Sequence, residues 1–323
     1  MYLIKVPNIR VFLLLSFFCS ILIFIFSDSL TTDVGKRRMN RDTVEALELY
    51  GYTYDLNASI SKQVVKYKCP VKLMMHWGGL VFGILSSSEN HLQRHFIRKT
   101  WGKSQNILFI VSGPWATVKG EAGVFHDILW IDGVESYSKM ASILPQKTQT
   151  LLYALESFSP FFDYCLKTDD DSFINVQKLR HFLKQNLIDY GGKVFPNSKP
   201  YRDPLHKWFI SYQRYNRTYF PPYCSGAGYV MSKRFISCAV KNLKNLEYMP
   251  MEDVATGLLS EKCNILPVNM QGVSGKTIQR GDVNSDIIVR HHVRSWEDIL
   301  HSWTITSKIQ GHDISMENKD FVE

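Results

Sequence analysis

Three consecutive carboxylates, Asp169, Asp170 and Asp171, follow an apolar run, Phe162-Asp163-Tyr164-Cys165-Leu166. Behind them a hydrophobic stretch resumes with Phe173, Ile174 and Val176. The leading run reads as a short buried strand. In open α/β sheets, ligands bind outside the carboxyl ends of strands. Adjacent like charges repel and lower local stability unless a cation compensates. Hard divalent ions, Mn2+ or Mg2+, take oxygen ligands and often join a carboxylate to phosphates. The pattern therefore reads as a metal–diphosphate site. The plainer reading is a solvated acidic turn, favoured for an isolated Asp-x-Asp. The strand in front and the apolar return behind tip the balance toward a site.

Other residues with chemical potential lie further along. Glu252-Asp253-Val254 precedes a helical stretch at 255–261, where a carboxylate serves either as an N-cap or as a general base. His291 and His292 follow an apolar strand at 287–289, where a metal ligand is a natural reading beside an Asp candidate. Arg94 and Arg98 are four apart on a helix expected at 91–101, so both guanidinium groups share one face. Either one of them approaches a nucleotide or its diphosphate, or both pair with surface acids. Trp208, Phe209, Tyr212, Tyr215, Tyr219, Phe220 and Tyr223 form an aromatic-rich span. It suits a sugar-binding groove, although most of these rings are expected in the core. Pro221 to Gly228 reads as a rigid turn with small residues that lets a ligand approach the backbone.

The elements that must position these groups alternate. Strands are expected at 79–85, 106–111 and 127–131, before the acidic strand. Helices are expected at 141–158, with Pro145 in its first turn, and at 176–187, closed by Gly191-Gly192. Alternating strands and helices argue for an α/β domain with a largely parallel sheet.

The chain has 323 residues, 45% hydrophobic and 21% charged, as in a globular protein. The formal charge of +8 points to anionic partners. An apolar segment at 11–27, preceded by Lys5 and Arg10, reads as an uncleaved signal anchor rather than a cleaved signal peptide. Residues 1–10 would then be cytoplasmic. The polar segment at 28–68 reads as a stem, 69–310 as the lumenal domain and 311–323 as a tail. Asn57-Ala58-Ser59 and Asn216-Arg217-Thr218 are glycosylation sequons. Of six cysteines, Cys19 lies in the anchor and Cys165 reads as a buried thiol. Cys69, Cys224, Cys238 and Cys263 allow three pairings in an oxidising lumen.

Together these motifs resemble the inverting β-1,3-glycosyltransferase family of the Golgi: galactosyltransferases, N-acetylglucosaminyltransferases and the more distant fringe proteins. The matches are Arg94-x-x-x-Arg98-x-Thr100-Trp101-Gly102, Lys167-Thr168-Asp169-Asp170-Asp171-Ser172-Phe173, Lys207-Trp208, Glu252-Asp253-Val254-x-x-Gly257, and the run Tyr219-Phe220-Pro221-Pro222-Tyr223-Cys224-Ser225-Gly226-Ala227-Gly228-Tyr229. The family's Asp-x-Tyr-x-Asn-Leu-Thr-x-Lys-Thr stretch appears only in part, at Asp132, Tyr137, Lys147 and Thr148, with Lys139-Met140-Ala141 in place of Asn-Leu-Thr. Phe220 adds a residue to the usual Tyr-Pro-Pro-Tyr spacing.

The resemblance implies a GT-A-like nucleotide-diphospho-sugar transferase fold, a UDP-sugar donor and Mn2+. It implies that Asp171 ligates the metal with His292. His291 is the alternative ligand, and the Ser-x-Glu-Asp pattern at Ser295 favours His292. Asp169 and Asp170, with Arg94 and Arg98, would contact the donor, and Asp253 would be the general base. Trp208, Tyr223, Gly226 and Glu252 would line the groove. The activity implied is β-1,3 transfer of a hexose to a glycan on glycoprotein or glycolipid, by a single-pass type II Golgi membrane protein. Galactose comes first, then N-acetylglucosamine or N-acetylgalactosamine. Other classes fit less well. A glycosidase needs paired carboxylates but no diphosphate-binding metal. A non-catalytic lumenal glycan-binding protein could keep the fold without turnover. The anchor removes the chain from nucleic acid.

Overall fold

The computed structural model describes residues 47–54, 62–69, 79–137, 142–157, 162–274 and 287–309. The expected anchor at 11–27, the sequon at Asn57 and the tail at 311–323 lie outside the described residues. Among the described residues no helix is long and apolar enough to cross a membrane.

In chain order the strands and helices of the first half are β1 (Leu47–Tyr54), β2 (Lys62–Cys69), β3 (Gly79–Ser87), α1 (His91–Lys99), β4 (Asn106–Ser112), α2 (Trp115–Phe125), β5 (Ile128–Ile131), α3 (Leu144–Ser157) and β6 (Phe162–Asp169). The second half continues with β7 (Ser172–Ile174), α4 (Val176–Gln185), β8 (Tyr190–Phe195), β9 (Tyr223–Ser232), α5 (Lys233–Leu243), α6 (Glu252–Lys262), β10 (Val268–Asn269), β11 (Val273–Ser274), β12 (Val289–His291) and α7 (Trp296–Ile309).

Among the described residues the main sheet has nine strands, in the order β1-β2-β5-β4-β3-β6-β9-β8-β10. Its centre, β5-β4-β3-β6, is parallel. Sequence alone accounts for this centre. In β4, Leu108 and Ile110 join one core while Ile107, Phe109 and Val111 join the other. A strand buried on both faces must be nearly continuously apolar, as parallel strands are. Antiparallel pairings flank the block, β2 on β5 at one side and β9 on β6 and β8 at the other. A smaller sheet, β11-β12-β7, lies alongside. In it β12 runs antiparallel to β7, with His291 opposite Ser172.

Several expectations need correction. The sheet begins at Leu47, within the segment assigned to the stem, because Tyr67 and Lys68 of β2 pair with Ile131 and Trp130 of β5. This strand pair, rich in Lys and Tyr, shows no clear hydrophobic period, and only its pairing reveals it. Gly191 and Gly192 do not close α4; they sit inside β8. A Cβ on Gly192 would lie 2.8 Å from the Gly228 carbonyl oxygen, so close strand contact is what requires glycine there. Residues 223–228, read as part of a turn, begin the ten-residue strand β9. Helix α3 is buried on all sides from Pro145 to Leu155 rather than amphipathic. It lies between the sheet and helices α5 and α6.

Cys238 in α5 and Cys263 at the end of α6 form a disulfide, while Cys165 and Cys224 are buried thiols. Of the seven aromatics between Trp208 and Tyr223, only Tyr215 and Phe220 are buried, whereas Trp208, Tyr212 and Tyr219 are exposed. The expectation that most of them enter the core does not hold.

Candidate active site

Strand β6 carries Asp169 as its last residue, and Asp170 and Asp171 make the turn into β7. The turn is pinned where Asp170 N–H donates to the Leu85 carbonyl at the end of β3 (3.1 Å). All three carboxylates therefore sit at the carboxyl end of the parallel block, and their surroundings differ.

Asp169 accepts from Lys167 Nζ at 3.0 Å and lies 3.4 Å from His291 Nε2. Burial alone would raise its pKa, but the Lys167 ammonium and His291 outweigh burial and hold it at about 2. Asp170 accepts from Asn90 Nδ2 at 2.8 Å. Burial pushes it up to about 6, against the hydrogen bonds from Ser86 and Asn90 and with help from its two charged neighbours. Asp171 faces both histidines: Oδ1 is 3.0 Å from His291 Nε2, and Oδ2 is 3.4 Å from His292 Nδ1.

Successive residues of a strand point to opposite faces. His291 and His292 nevertheless share one side, with ring centroids 4.0 Å apart. The chain achieves this at His292, whose φ is +64°. Few residues other than glycine adopt the left-handed region, and those that do cluster at functional sites.

The ligand atoms of Asp171, His291 and His292 all lie within 4.8 Å of one another. Asp171 Oδ1 is buried, and its near polar neighbour is His291 Nε2 at 3.0 Å. A carboxylate oxygen with two imidazole nitrogens is a donor set that first-row divalent ions accept. These residues fit a metal ion, and the pair of histidines does so together rather than as alternatives. Sequence reading had favoured His292 over its neighbour.

The second half of the site hangs on Lys167. This side chain is 1% exposed. Its Nζ donates to Asp169, to Glu252 Oε2 and to the Gly226 carbonyl, each at 3.0 Å. Burial disfavours the ammonium, yet the two carboxylates more than compensate, and its pKa is raised. Glu252 Oε1 accepts from Thr148 Oγ1 at 3.0 Å and from the Tyr229 hydroxyl. Glu252, expected in the groove, does line the cleft, but it is nearly buried and held by these internal partners.

Its neighbour Asp253 remains half-buried on the cleft wall. Burial first, then the negative charge of Glu252, push Asp253 up to about 6, against the Val254 N–H at 2.9 Å, Lys167 and the Gly226 N–H at 3.4 Å. Both acids occupy the first turn of α6, where the helix dipole favours negative charge.

One cleft of about 810 Å³ is lined by Asp169, Asp253, His291 and His292, with Trp208, Tyr223 and Gly226 also on its wall. Trp208 is 40% exposed, and the Tyr223 hydroxyl reaches Ser198 Oγ at 3.4 Å.

The arginines do not line this cleft. Arg94 is completely buried, with Nε and NH2 on Glu121 at 2.8 and 2.6 Å and NH1 on Ser86 Oγ at 2.8 Å. It also donates to the Ser87 and Ser88 carbonyls, so it shapes the turn after β3 from beneath. Arg98 forms a two-pronged pair with Asp127 at 2.7 Å and packs over Phe109 and Phe125. Direct donor contact by either is corrected to pairing with acids, the alternative left open by their helical spacing.

Sequence reading gave no role to Lys167, Lys147, Glu135 or Tyr229. Lys147 is buried, donating to the Ser86 carbonyl at 2.6 Å and to Glu135 Oε1 at 2.5 Å. Burial lowers its pKa. Ser112 Oγ also donates to Glu135 Oε1, at 2.6 Å. Glu135 is therefore the acid beside Lys147, whereas Asp132 is exposed. For Lys167 the available signal was its place at the end of the apolar run 162–166, where a buried lysine must meet a carboxylate; Lys147, between Gln146 and Thr148, carried no such signal.

A parallel strand block with acids at its carboxyl end and Asp253 on an adjoining helix define an α/β protein with a cleft at its strand ends. The chain belongs to the galactosyltransferase family, whose model matches residues 92–271, more than half of its length. It is 33% identical to beta-1,3-galactosyltransferase 5 of Homo sapiens over 201 residues, 58% of this chain and 64% of that one. It is 30% identical to beta-1,3-galactosyltransferase 1 of Mus musculus over 210 residues, 60% of this chain and 63% of that one. The chain thus spans slightly less than two thirds of these relatives' length. Against solved structures, a 4-diphosphocytidyl-2C-methyl-D-erythritol synthase from Anaerococcus prevotii covers 72% of this chain and 96% of its own. Its TM-score of 0.37 and 11% identity are too low to weigh.

Proposed function

We propose that this protein transfers a hexose, galactose first, from a UDP-sugar to the 3-hydroxyl of an acceptor glycan, with inversion to a β-1,3 linkage. The observation that carries the reading is Asp253, a carboxylate raised to about 6 on the wall of a cleft that also holds Asp169, His291 and His292. The names of the relatives, both beta-1,3-galactosyltransferases, support galactose and the linkage.

A sugar hydroxyl is a weak nucleophile at neutral pH, so a positioned base must take its proton as attack proceeds. Asp253 is that base. As the acceptor oxygen bonds to the anomeric carbon, its proton passes to the Asp253 carboxylate. The bond from that carbon to the diphosphate breaks, and its electrons leave with UDP. One displacement inverts the anomeric centre, and no enzyme carboxylate needs to act as nucleophile. Lys167 fixes Glu252 and Asp169, and through them the start of α6 relative to the strand-end acids. Asp171 with His292 and His291 would hold Mn2+, which when bound supplies positive charge for the leaving diphosphate. The same reading places the chain in the Golgi membrane as a single-pass type II protein, with glycoprotein or glycolipid acceptors.

The test is a donor screen on the full chain in detergent, reading UDP release from a panel of UDP-sugars with Mn2+. Turnover of UDP-galactose, abolished by EDTA and restored by Mn2+, is expected. UDP-N-acetylglucosamine or UDP-N-acetylgalactosamine as the preferred donor would replace galactose. Glycan binding without turnover of any donor would make this a non-catalytic glycan-binding protein. Mn2+ titration followed by electron paramagnetic resonance checks the metal site independently; an unchanged spectrum on adding protein overturns it.

A further inference from the structure

The segment 196–222, between β8 and β9, builds one side of the cleft and carries five Lys or Arg residues against one Asp. None of the three arginines is among the residues that line the cleft, and two of them are engaged by protein oxygens. Arg202 donates to the Ile210 and Arg217 carbonyls at 2.9 and 3.0 Å. Arg217 pairs with Glu261 at 2.7 Å, and Arg214 lies 5.3 Å from the Tyr248 ring centroid. Lys199 and Lys207 differ. Both are exposed, both line the cleft, and among the described residues neither forms an ion pair or hydrogen bond. Each ammonium is held over an aromatic ring instead, Lys207 at 4.6 Å from the Trp208 centroid and Lys199 at 5.5 Å from that of Tyr219. Such contacts orient a cation without neutralising it.

The cleft therefore has two electrostatic zones. In one zone the acids Asp169, Glu252 and Asp253 stand beside Lys167, His291 and His292, so charges of both signs meet; the other zone carries only the two lysines. A neutral glycan gains nothing from that second zone. An anion beside the lysines meets two ammonium groups that no carboxylate neutralises, next to exposed aromatic faces suited to sugar rings. The segment leads directly into Tyr223 at the start of β9, and both lysines line the same cleft as the proposed base. That is the side an acceptor approaches.

We infer that Lys199 and Lys207 bind an anionic group, a carboxylate or a sulfate, on the sugar next to the one that is glycosylated, so that the acceptor is an acidic glycan. This rests on the transferase reading above. The experiment uses the full chain in detergent and three acceptors with the same terminal sugar: one on a neutral hexose, one on the matching uronic acid and one on a sulfated hexose. The readout is the kcat/KM ratio of acidic over neutral acceptor. The parent should favour one or both acidic acceptors by about tenfold, the scale of one or two exposed charge-assisted contacts. That preference should narrow as salt is raised. The ratio should fall to near one in Lys199→Ala/Lys207→Ala and below one in Lys199→Glu/Lys207→Glu. The uronic and sulfated arms separate the two sources of charge.

An equal ratio in the parent, or a ratio unchanged in the double variant, overturns the inference. A raised donor KM at constant ratio also does, by assigning the lysines to the diphosphate. If no UDP-sugar is turned over, the transferase reading falls. Saturation-transfer NMR with the same glycans then decides the lysines separately, and binding without acidic preference overturns their assignment.

Discussion

A carboxylate accepts a proton only when it has lost its own, so the pKa of Asp253 sets the lower pH limit of the proposed reaction. Burial and Glu252 raise it to about 6. The base is therefore ionised above that value and protonated below it. kcat/KM should rise with pH through about 6, level off near neutrality, and fall about tenfold per unit on the acid side. UDP release measured between about pH 5 and 8 checks this; a flat profile would remove Asp253 from the mechanism. Asp253→Asn should lower kcat by about 100- to 10,000-fold with the thermal midpoint retained. Lys167 is a different kind of residue, since its ammonium is the shared counter-charge of Asp169 and Glu252. Lys167→Met leaves both acids facing each other with no cation between them, and should cost about 3 kcal/mol of stability in urea unfolding. The acidic triplet was visible to anyone reading the chain. Lys167 stands only two residues before Asp169, but its second partner was not legible, because Lys167 and Glu252 are 85 positions apart.

Helix α6 carries the base, and its seating on β9 fixes where that base sits. The contact runs through Gly257, where an added Cβ would lie 2.5 Å from Tyr223 Cβ and 3.2 Å from the Pro222 carbonyl oxygen. Backbone cannot yield as a flexible side chain can. Gly257→Ala should push α6 away from β9, lose about 1–3 kcal/mol of stability and reduce kcat more than it raises donor KM. Unfolding curves and steady-state kinetics test both effects, and a fully active variant would show that the seating does not matter. At this scale the sequence was partly legible. The core strands and the helices at α1, α3, α4 and α6 were readable from apolar periodicity and from Pro145 at a helix start. Gly191-Gly192 misled, since glycine allows a close strand crossing as readily as it ends a helix. Arg94 and Arg98 shared a helix face as their spacing required, but which acids they met depended on where α2 and β5 came to rest.

The whole molecule is a parallel block extended on both flanks by antiparallel strands, with a disulfide tying α5 to the end of α6. The bridge closes a separation of 25 residues, for which chain-entropy reasoning gives about 3 kcal/mol. Replacing Cys238 and Cys263 by Ser should lower the thermal midpoint in non-reducing buffer and abolish its sensitivity to reductant. A parent protein indifferent to reductant would deny the bridge that weight. The sequence by itself determined the α/β class, the acidic strand end, the base candidate and the pair of histidines. Those follow from local periodicity and from residue types that few other contexts tolerate. Only the tertiary structure decided that Cys238 pairs with Cys263, that the strand pair before Cys69 joins the sheet, that both histidines face Asp171, and that the arginines support the site from outside it. Each of these is a meeting of segments distant along the chain. One-dimensional spacing records what a residue can do, and packing in three dimensions selects its partner.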